Sequence, residues 1–141
     1  MKVKIINKSD NQLPHYATPG SAGLDLYANE RYTFSPNERK VIGTGIFIEL
    51  PIGYEAQIRP RSGQVLKKGL TVANAPGTID ADYRGEIGVI IHNISDDYQY
   101  VAKGDRIAQM VIAKYENIFW EEVEHLGNTS REDGGFGSTG I

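Results

Sequence analysis

The chain contains no cysteine. Disulfide staples, thiolate nucleophiles and cysteine metal ligands are thereby excluded. Long apolar runs are also missing; the longest are short pieces such as Val41-Ile42 and Gly88-Val89-Ile90-Ile91. A membrane-spanning helix needs roughly 20 apolar residues in succession. The N-terminal MKVKIINK shows neither an apolar stretch nor a cleavage-type site, so no secretory leader is expected. A cytoplasmic setting away from membranes is the expectation. A basic excess is lacking too: 15 Lys and Arg stand against 18 Asp and Glu, a formal charge of −3. Proteins that grip polymeric nucleic acid usually show a basic stripe, and here the two signs are interspersed. A small anionic ligand needs only a few local donors, so that class stays open.

What the chain has in quantity is glycine, 16 of 141 residues. The length suits one domain with a usable core. Short apolar runs are punctuated by Pro14, Pro19-Gly20, Pro36-Asn37, Pro51-Ile52-Gly53, Pro76-Gly77 and Lys103-Gly104-Asp105. That rhythm predicts an all-β sandwich or barrel. Val3 and Ile5 alternate with Lys2 and Lys4, which predicts a half-exposed first strand. Further strands are predicted over Val41 to Leu50, Glu86 to Asn93 and Arg106 to Glu116. Gln64 to Leu70 fits one or two helical turns ending at Gly69. Phe119 to Leu126 has near-helical spacing of Trp120, Val123 and Leu126 but is too short to assign. From Gly127 onward the sequence holds five glycines and only two large apolar residues, Phe136 and Ile141. Such a segment cannot fold alone. The expected division is a β-rich domain over 1–126 and a mobile C-terminal arm over 127–141.

Five polar, glycine-containing segments interrupt the strands: SAGLDLYA, RPRSG, NAPGTIDADYRGE, KGDRIAQM and REDGGFGSTG. Each has an ordinary reading. Asp25 lies between two leucines, and an acid so placed usually points to solvent. Arg61-Ser62-Gly63 fits a turn before a helix with Ser62 as its cap. It also fits an anion site, because arginine offers a planar fork and glycine lets backbone N–H groups approach phosphate. GTIDADYRG fits a β-hairpin tip, yet it carries an apolar Ile79 and an aromatic Tyr83, which tips usually avoid. An acid there can activate a water as general base. Asp80 and Asp82 share a face if that segment is extended, so both remain candidates. The Asp105-Arg106 pair reads as a structural turn. Gln109 sits among apolar neighbours and needs a partner, which a ligand can supply. GGFGSTG resembles a phosphate loop in composition but lacks the GKS or GKT ending. Its ordinary reading is a Gly/Ser-rich disordered end, although a lone Phe136 suggests that it lands on something.

Taken together and in order, AGLDLYA, PRSG, GTIDADYRG, KGDRIAQ and R…GGFGSTG resemble the five signature segments of the trimeric dUTPase family, from Ser21 to Gly140. The resemblance implies a jelly-roll-like subunit in a homotrimer, with active sites between subunits and the arm of one subunit closing over a site formed by others. It implies hydrolysis of dUTP to dUMP and pyrophosphate, with Mg2+ as cofactor, limiting uracil incorporation into DNA and supplying dUMP for thymidylate synthesis. Asp80 is similar to the aspartate that orients water for attack on the α-phosphorus. Arg61, Ser62, Gly63 and Gln109 match phosphate contacts. Asp25 resembles the acid that supports magnesium through bound water, and magnesium's habit of keeping several waters suits an indirect acid. Asn74, Thr78, Ile79 and Gly88 stand at positions of the hairpin that receives uracil, and Tyr83 matches the tyrosine that packs on deoxyribose. Phe136 matches the aromatic that stacks on uracil. Arg131, Gly137, Ser138 and Thr139 match the arm's triphosphate contacts.

Two positions depart from the family pattern. Glu132 stands where the arm usually has glycine, and its carboxylate is expected to pair with Arg131 and weaken the phosphate contact. Gln64 stands where an apolar residue often follows RSG. Two other functions suit a related scaffold. A dCTP deaminase would need an activated water at the base ring. A non-catalytic nucleotide sensor or trimeric interaction protein would need no water-activating acid. The intact Asp80–Tyr83 segment and the full GGFGSTG arm favour hydrolysis.

Overall fold

Turn residues at short intervals leave room only for short strands. The computed structural model describes residues 1–141 and contains eleven strands with one short helix. In chain order these are β1 (Lys4–Asn7), β2 (Leu24–Tyr27), β3 (Tyr32–Phe34), β4 (Arg39–Gly43), β5 (Ile46–Glu49), β6 (Tyr54–Arg59), α1 (Ser62–Lys68), β7 (Leu70–Val72), β8 (Gly77–Ile79), β9 (Gly88–Asn93), β10 (Gln99–Val101) and β11 (Arg106–Lys114). All pairings are antiparallel. One sheet runs β2-β11-β6-β8 and another β4-β9-β7, with two-stranded ribbons β1-β5 and β10-β3. The arrangement is the expected jelly-roll-like, all-β fold. One contiguous core joins the sheets through Leu26, Phe34, Ile42, Ile58, Val89, Ile91 and Val101. Burying each such side chain contributes about 1.5–3 kcal/mol.

The predicted strand over Val41 to Leu50 is two strands. Thr44 is buried at the break, and its hydroxyl donates to the Ile87 carbonyl at 2.6 Å while accepting the Ile46 N–H at 3.2 Å. Those bonds satisfy backbone groups that leave the ladder and let β4 pair with β9 while β5 pairs with β1. Ahead of β4, Glu38 closes a turn by accepting the Ser35 N–H at 2.8 Å and the Tyr32 hydroxyl. The Tyr32 hydroxyl, with the Ser35 N–H behind it, holds the Glu38 carboxyl below the usual carboxylate range.

The helix ends as expected. Gly69 adopts φ 66°, and its N–H bonds the Gln64 and Val65 carbonyls. Only glycine takes this left-handed cap conformation without a Cβ penalty.

β11 carries a bulge. Arg106 opposes Tyr27, Ala108 opposes Leu26 and Gln109 opposes Asp25, so Ile107 is an extra residue in the ladder. The bulge turns Ile107 and Ala108 into consecutive buried positions.

Regular structure stops at Lys114. Tyr115 still bonds the Gly53 carbonyl through its N–H at 3.0 Å, but residues 116–133 are all exposed and contain no helix or strand. Phe119, Trp120 and Leu126 therefore stand in solvent. The exposed stretch starts ahead of Gly127. No helix is long and apolar enough to cross a membrane.

Candidate functional site

Cross-strand pairing builds the first cluster. Gln109 on β11 faces Asp25 on β2 and Arg59 on β6, so the three side chains share one face of the sheet. Pro60 ends β6, and Arg61 is the extended N-cap of α1 with φ −96° and ψ 127°. No side chain caps this helix. Ser62, expected as the cap, is instead the first helical residue, which leaves its hydroxyl free at the mouth of a cleft of about 390 Å3. Ligand pockets commonly fall in the range of roughly 300–1,000 Å3.

Asp25 does not point to solvent as its leucine neighbours suggested. Its side chain is 13% exposed and lies between two arginines. Arg61 Nε donates to Oδ1 at 2.9 Å, and Arg106 donates to Oδ2 at 3.4 Å. Three arginines, 59, 61 and 106, line the cleft against this single carboxylate, so its balance is positive. Gln109 Nε2 donates to the Pro60 carbonyl at 2.9 Å and braces the turn that carries Arg61, Ser62 and Gly63. Gly23 makes room for it, since a Cβ there would lie 2.3 Å from Gln109 Oε1.

Arg59, Arg106 and Gly23 escaped the sequence reading. The structure separates the supposed Asp105–Arg106 pair. Asp105 accepts the Ala102 N–H at 2.9 Å within its turn, while Arg106 reaches Asp25. Because Arg106 and Gln109 are three residues apart, strict alternation would put them on opposite faces. The Ile107 bulge puts both on the cleft side.

The second cluster is the segment from Asn74 to Ile90, and it is not a hairpin. β8 pairs with β6 and β9 pairs with β4 and β7, so residues 80–87 cross between sheets. Thr78 faces Gln57, Ile79 faces Ala56, and Gly88 faces Gly43; Asn74 is exposed ahead of β8. Asp80 and Asp82 do not sit on an extended strand. Tyr83 N–H closes a turn onto the Asp80 carbonyl at 3.1 Å, around buried Ala81. Both carboxylates are exposed and make no hydrogen bond or ion pair. Tyr83 is 44% exposed and donates its hydroxyl to the Glu86 carbonyl at 3.0 Å.

The third cluster is the arm, a succession of turns. Gly134, Ser138 and Gly140 N–H groups bond the carbonyls of Arg131, Gly135 and Gly137. Glu132 does not pair with Arg131, contrary to expectation. Its N–H bonds Thr129 Oγ1 at 3.0 Å, and its Oε1 accepts the Thr129 N–H at 2.9 Å. This reciprocal arrangement follows the logic of a capping box. It supports a non-glycine residue at φ 45°. Arg131 Nε instead donates to the Gly134 carbonyl at 2.7 Å. Phe136 is fully exposed. Within one chain no hydrogen bond or ion pair joins the arm residues, the Asp80 turn and the arginine cleft to one another.

Fold and cleft together define a jelly-roll protein suited to a small polyanion. The dUTPase family model matches residues 9–140. The deoxyuridine 5'-triphosphate nucleotidohydrolase of Finegoldia magna is 56% identical over 142 residues, covering 99% of each chain. That of Rickettsia felis is 56% identical over 143 residues, covering 100% of this chain and 97% of its own. The Staphylococcus bacteriophage 80alpha dUTPase solved with dUPNHPP superposes with a TM-score of 0.91 at 27% identity, covering 99% of both chains. The chain belongs to the dUTPase family.

Proposed function

We propose that this protein hydrolyses dUTP to dUMP and pyrophosphate by water attack at the α-phosphorus. In the cell, which we take to mean the cytoplasm, this limits uracil incorporation into DNA and supplies dUMP for thymidylate synthesis. The observation that carries the reading is the cleft in which Arg61, Ser62, Gly63 and Gln109 converge beside Asp25, in a chain with the family's full set of segments. Arg61 offers a guanidinium, Ser62 a hydroxyl, Gly63 a close backbone approach and Gln109 an amide to the phosphates.

Asp80 is the general base. Its carboxylate is exposed and unpaired, so it is free to accept a proton from the attacking water. Tyr83, tethered through its hydroxyl, presents its ring to deoxyribose. Asn74, Thr78, Ile79 and Gly88 bound the uracil site. Phe136 closes over the base, and Arg131, Gly137, Ser138 and Thr139 over the triphosphate. That no hydrogen bond or ion pair joins the three groups within one chain supports a homotrimer with shared sites. So does the exposed Phe119-Trp120 stretch, which has no apolar partner in its own chain.

Magnesium fits as a substrate-borne ion. No group of three or more His, Asp or Glu side chains stands ready to ligate it. Its ligands would be phosphate oxygens and waters, as magnesium prefers. Asp25 Oδ2, held only by a 3.4 Å contact, keeps lone pairs for one of those waters. When bound, the ion neutralises phosphate charge during attack.

Product analysis over a panel of dNTPs and UTP tests the reading. Pyrophosphate release should be fast from dUTP and much slower from dTTP, dCTP and UTP, because a fitted pocket excludes the methyl, amine and 2′-hydroxyl. Comparable turnover of dTTP or UTP contradicts it, and ammonia release from dCTP would indicate a deaminase.

A further inference from the structure

Gln64 occupies a position where an apolar residue is expected, yet its side chain joins the two elements that form the cleft. Its Nε2 donates to the Arg106 carbonyl at 2.8 Å, and its own N–H bonds the Arg61 carbonyl at 3.0 Å. Arg61 and Arg106 in turn both reach Asp25. The result is a closed circuit: Gln64, Arg106, Asp25, Arg61 and back to Gln64. On the other side of the same turn, Gln109 holds the Pro60 carbonyl. Two amides thus bracket Arg61-Ser62-Gly63.

Stability does not account for the Gln64 amide. Its Oε1 is buried with no hydrogen-bond partner. The cost of an orphaned buried acceptor equals or exceeds the net return of one hydrogen bond. The helix does not require glutamine either, since leucine and methionine have similar helix propensity.

We infer that Gln64 is a positioning residue for the triphosphate site. It fixes the first turn of α1 against the start of β11, so that Arg61 and Arg106 are preset for phosphate. The inference rests on the reading of this cleft as the triphosphate site. Preorganised donors bind an anion without first giving up side-chain freedom.

The test uses full-length Gln64→Leu and Gln64→Met proteins, which keep side-chain bulk and remove the amide. KM and kcat for dUTP, the Kd for an α,β-imido analogue of dUTP, and the thermal midpoint are measured together. KM and Kd should rise together by roughly 2- to 10-fold, the range expected for one lost hydrogen bond. Turnover at saturation should be nearly unchanged, and the thermal midpoint should hold or increase because the orphaned oxygen is gone. Gln64→Glu, which keeps the length but cannot donate to Arg106, should raise KM at least as far. An unchanged KM in the leucine and methionine variants overturns the inference, whatever the midpoint does. So does a KM rise that appears only with a lowered midpoint, which marks a merely structural role. Arg61→Ala separates the two levels. If it binds the analogue normally, the cleft reading fails and the inference with it. If it binds weakly while Gln64→Leu does not, only the inference on Gln64 falls.

Discussion

Gly23→Ala adds one carbon at a place where the structure has no room. The new Cβ would lie 2.3 Å from Gln109 Oε1, 3.1 Å from its Cδ and 3.2 Å from its Cβ. The first contact can be relieved by rotating the amide, since it involves the far end of a flexible side chain. Rotation breaks the 2.9 Å bond from Gln109 Nε2 to the Pro60 carbonyl and turns the amide from the cleft. The contact with Gln109 Cβ cannot be rotated away, so the strands must give slightly. Overpacking of this kind costs about 1–3 kcal/mol of stability. A hydrogen bond to a charged phosphate contributes about 1.5–3 kcal/mol, so its loss should weaken nucleotide binding roughly 10- to 100-fold. Binding of the α,β-imido analogue by calorimetry, alongside denaturant unfolding, reads both effects. Gly20→Ala is the control, because a Cβ there meets nothing within 4 Å. Gln109→Ala should show the same binding loss, and the double variant should lose little more, since both changes remove one group. If Gly23→Ala binds nucleotide like the parent protein, or if the two losses simply add, Gly23 is not the residue that aims Gln109.

Asp80→Asn should retain analogue binding and lose about 10²- to 10⁴-fold in kcat, the usual contribution of a positioned general base; an active Asp80→Asn with a dead Asp82→Asn moves the role two residues along. A chain ending at Gly127 should fold and sediment as a trimer yet lose most hydrolysis, and mixing it with Asp80→Asn chains should restore activity if arms act across subunits. Ordering the arm costs about 1–2 kcal/mol per residue, so Phe136→Ala should also reduce activity by removing part of the compensation. Full activity in the truncated chain alone would contradict the lid. Tyr32→Phe removes the hydroxyl that depresses the Glu38 carboxyl, and stability from a depressed carboxyl is present above its unfolded value and lost as pH falls through the folded one. The variant should therefore be less stable than the parent at about neutral pH, with the gap closing in acid; a gap that persists unchanged at low pH contradicts this.

Much of the cleft was legible in the chain because its parts lie in short, locally determined segments. Arg61, Ser62 and Gly63 are consecutive, and the helix behind them ends at a glycine that local chemistry demands. β9 and β11 could be read from their β-branched runs. What stayed hidden depended on partner choice far along the chain. Residues 41–50 favour strand throughout, and the break comes from Thr44 bonding Ile87, 43 residues away. The segment after Asn74 looks like a hairpin because turn residues separate two apolar runs; nothing local says that β8 and β9 join different sheets. Asp25 looked solvent-facing because its two arginine partners are 36 and 81 residues distant. For Glu132 the adjacent Arg131 is the evident partner in the sequence, while the carboxylate turns to Thr129, three residues back.

The extra residue in β11 gives the core one more buried side chain while the cleft face of the strand stays as it is. Many substitutions at Ile107 that keep an apolar side chain should be absorbed by the core it faces. Deleting that one residue would leave Arg106 and Gln109 two apart, so plain alternation would keep both on the cleft side, and the loss would be the buried Ile107 side chain. The pairs Arg106–Tyr27, Ala108–Leu26 and Gln109–Asp25 would survive as an unbroken ladder, with both cleft side chains still beside Asp25. A one-residue gap aligned at Ile107 is therefore compatible with an intact cleft, and its mark should be found in the core, as a missing apolar side chain and a lower thermal midpoint, with Arg106 and Gln109 still in place.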